Sequence, residues 1–168
     1  AKQIETIKPL LLLQPYIIDV LYWKGEKVDY NLDLFRSKVV QGKNLADFHL
    51  DAFNLPNSLR DEKWLIVDKN ISVQNRPFLI CRSLRYHSNH SAWVGIRNNN
   101  DIMNNSFFIG HPKEHEAFEW IFDTKIPYVE TPNLLDAARL LAGCKRYLGN
   151  QNVIHAIAEG LKIPTHVE

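Results

Sequence analysis

Residues 145–167, KRYLGNQNVIHAIAEGLKIPTHV, decide the fold because they alternate strand-forming and helix-forming runs. Residues 145–149 have strand character, and the polar residues 149–152 predict a turn. Residues 153–161 form a helical pattern whose alanines suit close packing on a sheet, and residues 164–167 return to an extended pattern. A strand, a helix and a second strand in this order predict a βαβ unit with parallel strands.

The same alternation extends back to residue 77. It predicts three further short strands, and Asn133 is a plausible N-cap for a helix rich in leucine and alanine. Five strands separated by helices predict an α/β fold with a doubly wound, mostly parallel Rossmann-like sheet in the order 3-2-1-4-5. The further strands are 78–81, 106–110 and 127–130, and the further helices are 91–97, 114–122 and 134–143.

The first 76 residues do not show this alternation and predict a partial α/β N-terminal segment followed by a linker. Residues 10–21 are apolar but interrupted by a proline, which favours a short helix or strand followed by a strand. Residues 28–35 alternate apolar and polar positions, as an extended segment does. The remaining predicted pieces are a helix at 44–53, a strand at 64–67 and a linker at 70–76. The predicted domains are therefore 1–76 and 77–168.

Amino-acid composition narrows the classes of function that are expected for this chain. The chain has 20 Lys and Arg against 19 Asp and Glu, a balance that gives no reason to expect nucleic-acid binding. The two cysteines, Cys81 and Cys144, have no metal-ligand or disulfide-motif spacing, so reduced thiols are expected. The longest apolar run is too short to span a bilayer, and no signal peptide is evident. A soluble cytoplasmic protein is the expectation.

The candidate ligand site lies where the predicted strand order reverses, between the first and fourth strands. Two loops meet there. The polar loop after the fourth strand could cradle an anion at a helix N-terminus, and arginines of the other loop could pair with phosphate. An ordinary turn and a solvated charged loop are the alternatives. The candidates are Arg82, Ser83, Arg85 and Tyr86 in the first loop, and Gly149, Asn150, Gln151, Asn152 and His155 in the second.

A second group follows the second strand. Gly110 ends that strand, and Glu114 begins the next helix, where a carboxylate could accept a ribose diol or simply favour the helix dipole. His111 and His115 are four residues apart, but no third ligand accompanies them, so no metal is expected. The nearby aromatic residues are most simply core.

Residues 108–118, FIGHPKEHEAF, and 128–168, beginning YVETPNLLDAARLLAG, resemble the C-terminal domain of two-domain (GT-B) glycosyltransferases. The closest similarity is to ADP-heptose:lipopolysaccharide heptosyltransferases and to heptosyltransferase-like proteins of phages. In that family, a strand ending in glycine leads to a helix with an early glutamate. A polar loop at a later helix N-terminus holds the donor pyrophosphate.

The resemblance implies roles for the candidate residues. It places Glu114 near the ribose, Glu130 and Thr131 beside the base, and residues 149–152 with His155 around the pyrophosphate. Arg82, Ser83, Arg85 and Tyr86 would occupy the phosphate-facing loop. No cofactor is expected beyond the nucleotide-diphosphate-sugar substrate.

The implied function is donor binding in a glycosyltransferase that transfers a sugar to an acceptor hydroxyl, with a glycan or a lipid-linked acceptor as the second substrate. The first 76 residues are too few for the N-terminal Rossmann domain that completes such an enzyme, and no catalytic base is identified. The alternative is a non-catalytic nucleotide- or sugar-binding module, or an assembly module. Either a homo-oligomer or a partner supplying the missing domain would cover the surface that such a half-protein exposes.

Overall fold

The structure, a computed structural model, describes residues 2–38, 45–85 and 91–168. The chain divides into two compact units, one formed by residues 1–20 with 63–168 and the other by residues 21–62. Residues 63–76 and the first 20 residues, which the sequence groups with the N-terminal segment, therefore belong to the unit that contains the sheet.

The sheet has four strands, and every neighbouring pair is parallel. In chain order the strands are β1 (Phe78–Cys81), β2 (Ser106–Phe108), β3 (Arg146–Gly149) and β4 (Thr165–Val167), and their order across the sheet is β2-β1-β3-β4. This arrangement confirms the prediction of a parallel Rossmann-like sheet, although with four strands.

The predicted third strand, residues 127–130, is wrong as a strand because only Tyr128 forms a bridge, to Phe108. The segment does run beside β2, since Phe108 donates to the Pro127 carbonyl and accepts from the Val129 N–H. Pro127 has no N–H to extend the ladder, and β2 itself ends at Phe108. The pairing therefore stops after one residue.

In the described residues after β1, the sheet-containing unit has five helices. Asn133 is the N-cap of the helix Leu134–Ala142, as predicted, and its side chain accepts hydrogen bonds from the N–H groups of Leu135 and Asp136. None of the helices in the described ranges combines the length and apolar character needed to cross a bilayer. The five helices are α3 (Ser91–Arg97), α4 (Asn100–Asn104), α5 (Pro112–Phe122), α6 (Leu134–Ala142) and α7 (Val153–Leu161).

Both faces of the sheet are covered, because successive side chains of a strand point to opposite sides. Leu79 and Tyr147 pack in a cluster with residues of α6 and α7, whereas Ile80 and Leu148 pack in a second cluster with residues of α3 and α5. Strands buried on two sides are what the near-continuous apolar runs in the sequence indicate. The result is a helix–sheet–helix arrangement in which helices cover both faces of the sheet. Loops that could bind a ligand follow the ends of the strands.

The N-terminal helix α1 (Lys2–Leu12) packs beside α6, and Gln14 anchors the chain that follows it. The buried amide of Gln14 donates to the carbonyls of Leu10 and Ile66 and accepts from the Ile66 N–H at 2.8 Å. The strand predicted at 64–67 is wrong, because these residues pair with no strand and the N–H groups of Trp64 and Leu65 both donate to the carbonyl of Gly160, near the end of helix Val153–Leu161. No strand occurs in residues 10–21 either.

The second unit contains α2 (Leu45–Ala52) and two short 3-10 helices, Leu32–Lys38 and Asn57–Asp61. Helix α2 confirms the helix predicted at 44–53 over residues 45–52, and residue 44 lies outside the described residues. The extended segment predicted at 28–35 is wrong over its second half, where the first 3-10 helix begins. That helix packs on α2, with the Phe35 and His49 rings 4.1 Å apart, so its apolar positions contact a helix instead of a neighbouring strand.

Candidate functional site

The strand order creates one switch point, between β1 and β3. The chain leaves β1 for β2 on one side of the sheet and then returns to place β3 on the other side of β1. In sheets of this kind, ligands bind beyond the carboxyl ends of the strands at such a point. The loop 82–85 after β1 and the loop 150–152 after β3 meet there, as the sequence predicts. We call this site the β1/β3 crevice.

Asn150 is the centre of the polar network in the β1/β3 crevice. Its side chain is fully buried and bridges the two loops. The Oδ1 atom accepts from the Ser83 N–H at 3.0 Å, and Nδ2 donates to the carbonyls of Ser83 and Arg85 at 3.0 and 2.7 Å. A buried amide satisfied on both its donor and its acceptor side fixes the loop rigidly. Asn150 therefore acts on the crevice by holding residues 83–85 in place.

Asn152 is the N-cap of α7. Its Oδ1 atom accepts from the N–H groups of Ile154 and His155 at 2.8 and 3.1 Å, and its Nδ2 donates to the Cys81 carbonyl and to Asn150. The predicted anion cradle thus has two of its helix N–H groups occupied by the cap. An anion here would either replace the cap oxygen or bind beside it.

Gly149 permits a close approach, as the sequence predicts, but the close neighbour is the adjacent strand. A Cβ atom on Gly149 would lie 2.1 Å from the Cys81 carbonyl oxygen. The same carbonyl lies 3.0 Å from the Tyr147 hydroxyl, which also lies 2.9 Å from the Asn150 carbonyl. Tyr147 was not among the predicted residues, although a tyrosine in a buried strand requires such a partner. Burial raises the pKa of Tyr147, which keeps its proton available for these contacts.

Arg82 is paired internally instead of facing the crevice. Its guanidinium contacts the Glu168 carboxylate through two hydrogen bonds of 2.7 and 3.3 Å, and the two side chains are 2 % and 1 % exposed. The Phe122 ring lies on the other side, 5.5 Å from the guanidinium carbon. Arg82 therefore joins β1 to the end of β4 and cannot reach a ligand without breaking a buried ion pair.

The other candidates of the two loops and of α7 differ in how far they are exposed. Arg85 and Gln151 are exposed, and Tyr86 lies outside the described residues. His155 is half-buried one turn into α7, against the Tyr147 ring and 3.5 Å from the Glu159 carboxylate. Burial lowers the pKa of His155, although Glu159 opposes this effect. The neutral imidazole is favoured, so His155 would contact a ligand as a hydrogen-bonding group.

The second group of candidates, around Gly110 and Glu114, lies next to Cys81, the last residue of β1. Gly110 has a φ of +132°, and a Cβ there would lie 3.4 Å from the Cys81 Sγ atom and 3.1 Å from the Glu114 carboxylate. Glu114 accepts from the His111 N–H at 3.0 Å within a capping box, so its role in helix initiation is established by the structure. Glu130 is exposed and Thr131 is half-buried in the segment that follows.

The two thiols are shielded from reaction. Burial raises the pKa of Cys81 to about 12, with a smaller contribution from Glu114, and burial raises the pKa of Cys144 to about 12. Since the thiolate is the nucleophilic form, neither side chain suits covalent catalysis at neutral pH. Within the described residues, no three His, Cys, Asp or Glu side chains assemble as metal ligands.

The resemblance of residues 108–168 to GT-B glycosyltransferases concerns sequence pattern alone. The chain matches no protein-family model, no curated protein and no solved structure. The glycosyltransferase-like assignment therefore stays a prediction, and function has to be inferred from the crevice itself.

Proposed function

We propose that the β1/β3 crevice binds the diphosphate of a nucleotide sugar, as the donor-binding part of a GT-B glycosyltransferase-like protein. The main support is the position of the polar network. Asn150 joins the loop after β1 to the start of α7 at the switch point of a parallel sheet, where α/β proteins of this architecture bind ligands. This network orders two loops that are far apart in sequence.

The chemistry at the rim suits an anion. Arg85 supplies an exposed guanidinium that can pair with phosphate oxygens. The positive end of the α7 dipole belongs to the same site, because Asn150, two residues before the N-cap Asn152, donates to the Arg85 carbonyl. In a complete enzyme these groups would stabilise the negative charge on the departing nucleotide diphosphate as the sugar moves to an acceptor hydroxyl. Glu130, which is exposed, could accept hydrogen bonds from the base or the ribose. Binding and transfer measurements would identify the base and the sugar of the donor and the acceptor.

The alternative, a module without transferase activity, has support of its own. Arg82 is held by Glu168, and the Asn152 oxygen occupies two N–H groups of the helix end. Two groups that the resemblance assigns to phosphate binding are therefore engaged internally. A nucleotide-binding or assembly module needs fewer free donors than an enzyme that stabilises a leaving diphosphate.

The test is calorimetric titration of the chain with ADP, UDP, GDP and CDP. We expect one of them to bind selectively, and Arg85→Ala to weaken binding about tenfold to a hundredfold because a charge-assisted hydrogen bond is lost. Arg146→Ala is the matched control, since Arg146 is also exposed but lies at the amino end of β3, whereas the proposed site lies beyond the carboxyl ends of the strands. It should leave the affinity unchanged.

A second variant tests the helix end. Asn152→Asp keeps a good N-cap oxygen but places a negative charge where the diphosphate should lie, so binding should weaken while α7 persists. If Arg85→Ala and Asn152→Asp both bind as the parent does, the crevice is not the site. Nucleotide binding without sugar transfer or nucleotide-sugar hydrolysis would favour the non-catalytic alternative.

A further inference from the structure

A cavity lies at the amino ends of β1 and β3, whereas the β1/β3 crevice lies beyond their carboxyl ends. Its walls come from residues 72–77, which lead into β1, and from residues 143–145, which lead into β3. Its volume is about 370 Å³, which is within the usual range for small-molecule sites. We call it the Arg76 cavity, after the guanidinium that lines it.

The two walls of the Arg76 cavity are fixed against each other by the backbone. The Lys145 N–H donates to the Pro77 carbonyl at 2.8 Å. Gly143 lies so close to the other wall that a Cβ atom there would be 2.3 Å from the Ile71 carbonyl oxygen. The cavity is therefore formed by the packing of two backbone segments, which does not depend on a ligand.

Both charged residues that line the cavity are cations. Arg76 is half-buried and Lys145 is exposed. Neither forms an ion pair within residues 2–38, 45–85 and 91–168. Two positive charges line one cavity without a carboxylate among its lining residues, and this balance favours an anionic ligand.

The Arg76 guanidinium is anchored through one of its three nitrogens. Its Nη1 atom donates to the carbonyls of Asn104 and Ser106, both at 2.8 Å, between the end of α4 and the start of β2. The opposite edge, formed by Nε and Nη2, has no hydrogen-bond partner in the part of the chain that the structure describes. The two N–H groups of that edge are parallel and match two oxygens of an oxyanion.

Two other arginines of this chain use the same edge to hold a carboxylate. Nε and Nη2 of Arg82 contact Glu168 at 2.7 and 3.3 Å, and those of Arg139 contact Asp68, both at 2.8 Å. At Arg76, no carboxylate of the described residues takes this place. An oxyanion from outside the chain can take it instead.

The charge of the cavity distinguishes between kinds of oxyanion. A carboxylate would neutralise only one of the two cations, whereas a phosphate monoester carries a charge of about −1.5 to −2 near neutral pH. The Ser72 hydroxyl, which also lines the cavity, can donate to a further phosphate oxygen. The volume of the cavity exceeds that of a phosphate group alone and leaves room for a small organic part.

We infer that the Arg76 cavity binds a small phosphate monoester, with the Nε and Nη2 edge of Arg76 and the Lys145 ammonium on the phosphate group and Ser72 as a further donor. This inference does not depend on nucleotide binding in the β1/β3 crevice, because the two sites share no residue.

The test is calorimetric titration of the whole chain with glycerol 3-phosphate and inorganic phosphate, and with acetate as the carboxylate probe. Glycerol 3-phosphate should bind more tightly than acetate. Lys145→Glu should weaken that binding about tenfold or more, because it reverses one of the two charges. Arg76→Lys should also weaken it about tenfold, since a lysine keeps the charge but lacks the bidentate edge.

Lys113→Ala is the matched control for Lys145→Glu, because Lys113 is also exposed but lies on α5, outside the cavity. It should leave the affinity for glycerol 3-phosphate unchanged. Arg85→Ala should leave it unchanged as well, and Lys145→Glu should still bind the nucleoside diphosphate that the parent chain selects. These two results would separate the Arg76 cavity from the nucleotide site, so either proposal can fail without the other.

Three results would overturn the inference. The first is that neither phosphate probe binds with a dissociation constant below about 10 mM. The second is that acetate binds as tightly as glycerol 3-phosphate. The third is that Lys145→Glu binds glycerol 3-phosphate as the parent does. Because the Lys145 side chain is exposed, this last variant decides the matter even if Arg76→Lys, which also loses the anchoring contacts, fails to fold.

Discussion

The side-chain amide of Asn150 pairs with the backbone of Ser83 in both directions. It accepts from the Ser83 N–H at 3.0 Å and donates to the Ser83 carbonyl at 3.0 Å. The two residues are 67 positions apart in the chain. Asn150 directly follows the carboxyl end of β3, and Ser83 lies two residues after the last residue of β1, Cys81. This contact extends the pairing of β1 and β3 past the sheet and gives the candidate crevice its fixed edge.

The stability of this contact can be tested by Asn150→Asp. The change keeps the shape but removes the amide donors and buries a carboxylate beside the carbonyls of Ser83 and Arg85. We expect the free energy of unfolding to fall by about 3 kcal/mol. Gln151→Glu is the matched control, because the neighbouring amide is exposed. Urea denaturation would measure both, and equal losses for the two variants would contradict a structural role for Asn150.

The buried pair of Arg82 and Glu168 should be sensitive to removal of one partner. Glu168→Gln leaves the guanidinium buried without its counter-charge, so we expect a loss of about 3 kcal/mol in the free energy of unfolding. The double variant Arg82→Met with Glu168→Met should lose less than the single variants Arg82→Met and Glu168→Met lose together.

The control for this pair is Asp33→Asn, which breaks the exposed contact with Arg36. Because solvent screens exposed pairs, this change should cost no more than about 0.5 kcal/mol. Chemical denaturation of all these variants completes the comparison. Additive losses in the double variant would show that Arg82 and Glu168 act independently.

Gly149 and Gly95 should respond in opposite ways to alanine. At Gly149 the new Cβ would meet the Cys81 carbonyl at 2.1 Å, so β1 and β3 must separate, at a cost of about 3 kcal/mol. At Gly95, in α3, a Cβ has no neighbour within 4 Å. Alanine there should be neutral or should stabilise the helix by up to about 1 kcal/mol. Thermal unfolding of both variants checks the contrast, and a stable Gly149→Ala protein would refute the close approach.

His155 predicts a pH dependence of stability. Its folded pKa lies below the ordinary value of 6.5, because burial disfavours the imidazolium. The unfolded chain therefore binds a proton more readily, so stability is full above about pH 6.5 and falls as the pH drops below it. Urea denaturation between about pH 5 and pH 7.5 should show this fall, and His155→Gln should reduce it. An unchanged pH profile in the variant would exclude His155 as its source.

Much of the fold was predictable because local patterns and tertiary structure agree. Asn133 and Asn152 both cap helices where the sequence predicts helix starts, and the segments predicted as strands at 78–81 and 145–149 contain the adjacent parallel strands β1 and β3. Where they disagree, backbone pairing decided. Residues 127–130 and 64–67 both have strand-like composition. Pro127 interrupts the pairing of the first segment with β2. In the second segment, the N–H groups of Trp64 and Leu65 donate to the Gly160 carbonyl and not to a neighbouring strand.

For the site, local sequence patterns predict polar loops after two strands, and so predict a ligand site beside residues 82–86 and 149–152. Which groups those side chains contact depends on the fold. Arg82 is paired with Glu168, Asn150 holds Ser83, and Glu114 caps its own helix. The physical reason is that hydrogen-bond partners of buried polar groups are set by three-dimensional proximity, which sequence spacing does not specify across 67 or 86 residues.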